Sequence, residues 1–200
     1  GETSYAGLPC IFIRIAGCNL RCSYCDTMYA YDDGAEMTVN LILEITDNFK
    51  CKLVCVTGGE PLLNKETPLL ISKLLERNYI VLVETNGSYD IRKIPQKAIK
   101  IMDIKCPDSN MSNLMAWENI NYLIKSDEIK FVLNSRKDYD WAKMLIHKYQ
   151  LPDVATVLLG AVFGAISPRS VVQWILEDNL DVRFQLQLHK YIWEPQTRGV

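Results

Sequence analysis

The sequence predicts an α/β chain folded as an incomplete (β/α) barrel of about six units, and three observations predict it. Short apolar, β-branched runs alternate with segments of helical period along the whole chain, the pattern of a mostly parallel sheet joined by right-handed crossovers. The 200 residues fall short of the roughly 250 of a closed eight-unit barrel. The residues capable of chemistry stand repeatedly just after strands, where the loops of parallel α/β folds converge. A single domain over 1–200 is expected. The 48% hydrophobic content can bury one core, and no linker, repeat or low-complexity segment divides the chain.

The first strand is read over Cys10 to Ile15, where Ile11, Ile13 and Ile15 alternate with Phe12 and Arg14 before Ala16-Gly17. A loop with three cysteines follows. A helix over Thr38 to Phe49, capped by Thr38, leads to a strand from Leu53 that ends in Thr57-Gly58-Gly59-Glu60-Pro61. Next come a helix over Thr67 to Arg77 and a strand over Tyr79 to Glu84, running into Thr85-Asn86-Gly87. The strand over Ile99 to Asp103 closes on Ile104-Lys105-Cys106-Pro107. Helices are expected over Ser112 to Ile124 and Lys137 to Tyr149, flanking a strand over Glu128 to Leu133. A strand over Ala155 to Leu159 reaches Gly160 to Phe163. Ser167 and Pro168 fit the cap and first position of a helix over Pro168 to Asp178, and the last strand is Val182 to Leu186. The four tryptophans, Trp117, Trp141, Trp174 and Trp193, read as core or interface anchors.

A formal charge of -2 gives no broad cationic field, and the run Arg92, Lys93, Lys97 is short and interrupted, so direct contact with nucleic acid or a membrane surface is not expected. No stretch approaches the roughly 18 to 20 apolar residues of a membrane span, and a cytoplasmic protein is expected. The chain opens at Gly1 without a methionine, so an N-terminal strand is expected to precede it.

Seven cysteines, three of them within eight residues, suit a metal site in a reducing compartment better than a disulfide framework. Cys18-Asn-Leu-Arg-Cys22-Ser-Tyr-Cys25 sets three soft thiolates on one short loop, the ligands an iron–sulfur cluster takes. Three ligands for four irons leave one iron open. Structural zinc usually finds a fourth Cys or His nearby, and His147 and His189 are both distant in sequence; a non-enzymatic zinc-stabilised binding module is the alternative. Cys10, Cys51, Cys55 and Cys106 lie on or beside apolar strands and read as buried small hydrophobes. Gly58 and Gly59 let the backbone approach a ligand closely and expose its amide and carbonyl groups, or else simply turn the chain.

The CxxxCxxC spacing after an apolar strand and Gly17, with Gly58-Gly59-Glu60 one helix and one strand later, resembles the radical SAM superfamily, in which the open iron chelates S-adenosylmethionine (SAM). The chain is further similar to the 7-carboxy-7-deazaguanine synthase family, from Gly1-Glu2 to Arg198-Gly199-Val200, through Phe12-Ile13-Arg14-Ile15-Ala16-Gly17, Cys25-Asp26-Thr27, Glu84-Thr85-Asn86-Gly87 and Gln185-Leu186-Gln187-Leu188-His189-Lys190. The resemblance implies a radical SAM type of incomplete barrel that converts 6-carboxy-5,6,7,8-tetrahydropterin to 7-carboxy-7-deazaguanine with loss of ammonia, in queuosine and other deazapurine biosynthesis. It implies a 4Fe-4S cluster on Cys18, Cys22 and Cys25, SAM regenerated after each turnover, Mg²⁺ on Thr27, a flavodoxin or ferredoxin reductant and a homodimer. It gives Glu2, Arg14, Thr57, Glu84 and His189 to the substrate. To SAM it gives Tyr24, Cys25, Asp26, Gly59, Asn86, Lys105, Gly160 and Phe163.

Each role has a plainer reading beside it. Arg14, charged in an apolar strand, is expected to be buried against an anion: the pterin carboxylate, or Glu60 or Glu84 in a structural salt bridge. Asp26-Thr27 suits a turn, Asn86 a left-handed step before Gly87, Lys105 a solvated strand end, and His189 a core position satisfied by backbone. Two departures from the family, the missing glutamine before Gly1-Glu2 and Thr3-Ser4 where a glycine is usual, weaken the case for substrate contacts from that loop. An activase of a glycyl radical enzyme shares the cysteine spacing, but Arg14, Asp26-Thr27 and Glu84-Thr85-Asn86-Gly87 favour a polar, pterin-sized pocket.

Overall fold

A parallel strand covered on both faces reads as a nearly continuous apolar run, and the central strands of this chain do so for that reason. The computed structural model describes residues 2–198; Gly1, Gly199 and Val200, part of the family-like opening and ending, lie outside the described residues. Seven strands form one sheet in chain order: β1 (Ile11–Ile15), β2 (Leu53–Gly58), β3 (Ile80–Thr85), β4 (Ile99–Asp103), β5 (Glu128–Leu133), β6 (Thr156–Ala161) and β7 (Arg183–Gln185). Every pairing is parallel, with Arg14 beside Thr57, Cys55 beside Leu82, Glu84 beside Ile101 and Asp103 beside Lys130. One strand more than six units is therefore present. Among the described residues no ladder joins β7 to β1, so the barrel stays open.

Side chains alternate between the two faces. Val54, Val56, Val81, Val83, Ile129, Phe131, Val157 and Leu159 point outward into the main core, under the helices α1 (Val39–Asp47), α2 (Thr67–Glu76), α3 (Arg136–Lys148), α4 (Leu151–Val154) and α5 (Pro168–Glu177). A short α6 (His189–Ile192) follows β7. Leu53, Cys55, Leu82 and Ile101 point inward and form an apolar floor. Two residues further along, the inward positions turn polar: Thr57, Glu84, Asp103 and Lys130.

Thr38 caps α1, its hydroxyl accepting from the Leu41 amide at 3.2 Å. Ser167 occupies the cap position of α5 without a side-chain bond, so Pro168 alone marks that start. The expected helix over 112–124 is instead two 3-10 turns, Ser112–Leu114 and Trp117–Tyr122. Tertiary bonds override helical period here. Asn119 donates to the carbonyls of Gly87 (3.1 Å) and Tyr89 (2.7 Å) and accepts from the Ile91 amide, while Trp117 stacks on Tyr149 at 5.8 Å. Trp141 and Trp174 also pack on the core, whereas Trp193 is exposed.

Candidate active site

Gly17, at φ 94°, turns the chain out of β1 into the cysteine loop, where Cys18, Cys22 and Cys25 are half-buried free thiols. The double glycine clamps this loop to β2. The Gly59 amide donates to Ile15 O at 3.0 Å and the Glu60 amide to Gly17 O at 2.8 Å. A Cβ on Gly58 would overlap Ile15 O, and one on Gly59 would overlap Gly17 O and lie 2.7 Å from Cys18 Cβ. Of the amide and carbonyl groups that the sequence reading offered to a ligand, the Gly59 amide is committed to this clamp. The fully buried Glu60 ties β2 to β3, accepting from the amides of Leu62 (2.9 Å) and Asn86 (2.7 Å) and from the Thr85 hydroxyl. Burial raises its carboxyl above the usual range despite these donors. Asn86 then hooks the loop, donating to Asn19 Oδ1 at 3.1 Å. Gly87, at φ 73°, takes the left-handed step.

All three thiols line one large open cavity of about 2010 Å³ at the strands' C-terminal ends. Among the described residues no trio of His, Cys, Asp or Glu closes around a single metal ion. Three thiols on one loop, facing a roomy cavity, suit a group whose separate irons each take one thiolate. The donor set fits a 4Fe-4S cluster. Burial pushes the Cys22 thiol up, with Lys105 opposing. Of the remaining cysteines, Cys55 and Cys106 are buried as expected, but Cys10 and Cys51 are half-exposed beside the barrel floor.

The same cavity holds a charged cluster centred on Lys130, a residue that sequence reading left out. Lys130, 4% exposed, donates to Glu84 Oε1 and lies 3.1 Å from Glu2 Oε2 and 3.5 Å from Asp103 Oδ2. Asp103 Oδ2 also pairs with Lys105 Nζ at 2.8 Å, which corrects the plainer reading of Lys105 as solvated, while Asp103 Oδ1 is buried with no hydrogen-bond partner among the described residues. Burial alone would raise the Asp103 carboxyl, but Lys105 and Lys130 hold it below the usual range. Burial would lower Lys130, yet Glu2, Glu84 and Asp103 hold it well above an ordinary lysine. Glu128, also buried, accepts from the Ser4 amide at 3.0 Å and from its hydroxyl, so the departure at Thr3-Ser4 serves to satisfy a carboxylate. The missed signal was Glu128 and Lys130 alternating with Ile129 and Phe131 in an apolar strand, the same pattern that singled out Arg14.

Arg14 is exposed, which corrects the expectation of a buried guanidinium: β1 is an edge strand of an open barrel, so its inner side meets the cavity rather than a core. Its guanidinium donates to Gly58 O at 3.2 Å and lies 5.7 Å from the Tyr29 ring; among the described residues it pairs with neither Glu60 nor Glu84. Thr57 donates to Glu84 Oε2 at 3.4 Å. His189 is half-buried on the cavity wall, and burial lowers its pKa while Glu2 opposes. The Tyr24 hydroxyl donates to Val132 O at 3.1 Å. Asp26 receives Lys190 Nζ at 3.0 Å and Gln187 Nε2 at 3.1 Å, and against the effect of burial Lys190 holds its carboxyl below the usual range. Thr27 Oγ1 lies 3.7 Å from Cys25 Sγ.

The cavity thus brings together Glu2, Arg14, Tyr24, Cys25, Asp26, Thr27, Thr57, Gly59, Glu84, Asn86, Lys105 and His189. Gly160 and Phe163 are not on its wall. Gly160 lies within β6, where a Cβ would approach Gln185 O at 3.5 Å. Phe163 lines a smaller cavity of about 350 Å³, edge-on to Tyr191 at 5.5 Å.

An open, all-parallel (β/α) barrel with a three-cysteine loop at its C-terminal mouth defines a radical SAM enzyme, and residues 12–110 match the family model described as Radical SAM superfamily. The fold is also that of Streptococcus suis SuiB, bound to its precursor peptide SuiA (TM-score 0.62, 13% identity, 89% of this chain and 48% of that one) or to S-adenosylmethionine (TM-score 0.59, 12% identity, 89% and 50%). The chain spans about half the length of those solved structures. Proteins named 7-carboxy-7-deazaguanine synthase match far more closely: 39% identical in Koribacter versatilis over 100% of this chain and 95% of that one, and 42% in Chlorobaculum tepidum over 100% and 92%. The chain belongs to the 7-carboxy-7-deazaguanine synthase family. It is a radical SAM enzyme of deazapurine biosynthesis that uses a 4Fe-4S cluster and SAM. Among the described residues no helix is long and apolar enough to cross a membrane.

Proposed function

We propose that the chain converts 6-carboxy-5,6,7,8-tetrahydropterin to 7-carboxy-7-deazaguanine with loss of ammonia. The observation that carries this reading is the division of charge in one cavity: Arg14 stands without a carboxylate partner among the described residues, and Glu2 and Glu84 gather elsewhere on the wall. A ligand with a carboxylate at one end and a guanidine-like donor edge at the other meets both. Arg14 receives the carboxylate through its planar donors. Glu84 and Glu2 accept the ring's N–H groups, and Thr57, bonded to Glu84, steadies that carboxylate.

Cys18, Cys22 and Cys25 would hold the cluster, which together with SAM would supply the radical chemistry for hydrogen abstraction. Asn86, Asp26 and Lys105, set around the cysteine loop by the bonds described above, hold SAM against it. Thr27 offers Mg²⁺ one hard oxygen, which suits an ion that keeps several waters and takes others from substrate. His189, its proton affinity reduced by burial, serves as a largely neutral hydrogen-bonding partner at neutral pH. Flavodoxin or ferredoxin as reductant, a homodimer and a cytoplasmic setting complete the reading; the seven cysteines, all free thiols, suit a reducing compartment.

The test is anaerobic reconstitution with SAM, Mg²⁺, a reductant and the tetrahydropterin, with mass spectrometry for the deazaguanine. Product that disappears in Cys22→Ala supports reaction and substrate together. SAM cleavage without product overturns the substrate.

A further inference from the structure

Three carboxylates from three separate elements meet one ammonium inside the barrel. Lys130 Nζ reaches Glu2 of the N-terminal loop, Glu84 at the end of β3 and Asp103 at the end of β4. Asp103 has a second cation in Lys105, whereas Glu2 and Glu84 have, among the described residues, only Lys130. Carboxylates gathered this closely in a partly buried site repel one another unless a counter-charge lies among them. Each of the two glutamates also keeps an oxygen turned from the ammonium: Glu84 Oε2 accepts only the long bond from Thr57, and no bond to Glu2 Oε1 is formed among the described residues.

We propose that Lys130 is a positioning residue that sets specificity by holding Glu2 and Glu84 in place as hydrogen-bond acceptors, so that the site selects ligands with a row of N–H donors over those presenting a carbonyl at the same place. This rests on reading Glu84 as a substrate contact. Lys130 itself touches no substrate; it acts through the carboxylates it holds.

The test measures a ratio, because a merely structural lysine would weaken all ligands alike. The SAM-loaded holoenzyme, kept anaerobic and without reductant so that nothing turns over, is titrated with 6-carboxypterin and with 6-carboxylumazine. The lumazine has a carbonyl where the pterin carries its 2-amino group. Binding is read from quenching of ligand fluorescence. The unsubstituted enzyme is expected to prefer the pterin by about tenfold or more, the usual scale for a hydrogen bond to a charged acceptor. Lys130→Met is expected to bring the preference close to unity, with Lys130→Arg between the two. Equal weakening of both ligands in Lys130→Met, or an unchanged ratio, overturns the proposal. If Lys130→Met does not fold, the ratio in Lys130→Arg decides: reduced, it supports the role; unchanged, it ends it. Glu84→Gln separates the two levels. A ratio left intact by Glu84→Gln removes the substrate reading itself, whereas a ratio lost there and kept in both Lys130 variants removes only the positioning role.

Discussion

Arg14 and Glu60 are both charged residues beside apolar strands, and the face each takes decides what it does. Glu60 is buried among donors and shapes the ends of two strands, while Arg14 projects from an edge strand into the cavity with a single backbone acceptor. Substituting Arg14 by Lys keeps the charge and loses the planar fork. The expected result is a KM for the carboxylated substrate raised about tenfold, with SAM cleavage retained when substrate is saturating; steady-state kinetics at several substrate concentrations check it. That the cysteine loop, Thr57, Glu84 and Asn86 would meet at one cavity was legible in the sequence because each belongs to a compact local motif at a strand end. Lys130 was not. Its partners lie on β3, β4 and the N-terminal loop, so its meaning depends on strand order and on which face it shares with Glu84 and Asp103.

The clamp between the end of β2 and the cysteine loop works because two successive residues have no side chain. Gly59→Ala drives a methyl into Gly17 O and Cys18 Cβ, and overpacking of this kind costs about 1 to 3 kcal/mol. The variant is expected to melt lower and to retain less iron after gel filtration. Gly7, on an open stretch where a Cβ meets nothing within 4 Å, provides the comparison: Gly7→Ala bears only the backbone penalty of its positive φ and should keep its iron. Strands and the four longer helices were legible because period and caps agree with the packing. The 112–124 segment was not, since Asn119 and Trp117 have helical spacing from their neighbours yet are fixed by Gly87, Tyr89, Ile91 and Tyr149.

Across the whole molecule the interior is divided into an apolar floor and a charged upper tier, and the tier sets the pH limits of the fold. Asp103, held below the usual carboxylate range by Lys105 and Lys130 against its burial, contributes stability that is present above about pH 4, the unfolded value, and is lost as pH falls through its folded pKa. Lys130, held well above its usual range by its carboxylate partners, contributes stability that is full below about pH 10 and is lost as pH rises through its folded pKa. Asp103→Asn should therefore flatten the acid side of a plot of melting temperature against pH, most clearly below about pH 4. An unaltered acid side would show that the Asp103 charge adds nothing. The parallel order and the incomplete barrel were both legible from alternation and length; the polar pairs that fasten the gap were not, because they join residues far apart in the chain.

That opening makes the protein a split hoop. The gap between β7 and β1 is fastened by polar clasps, Asp26 to Gln187 and Lys190, and Asp33 to Arg198, which salt and water loosen far more readily than a ladder. Whatever occupies the cavity then becomes part of the fastening, since its wall runs from Arg14 on one side of the gap to His189 on the other. Loading with SAM and substrate should slow amide exchange at β1 and around α6 together, two ends of the chain that share no strand pairing, while the amides of β3 and β4 change little.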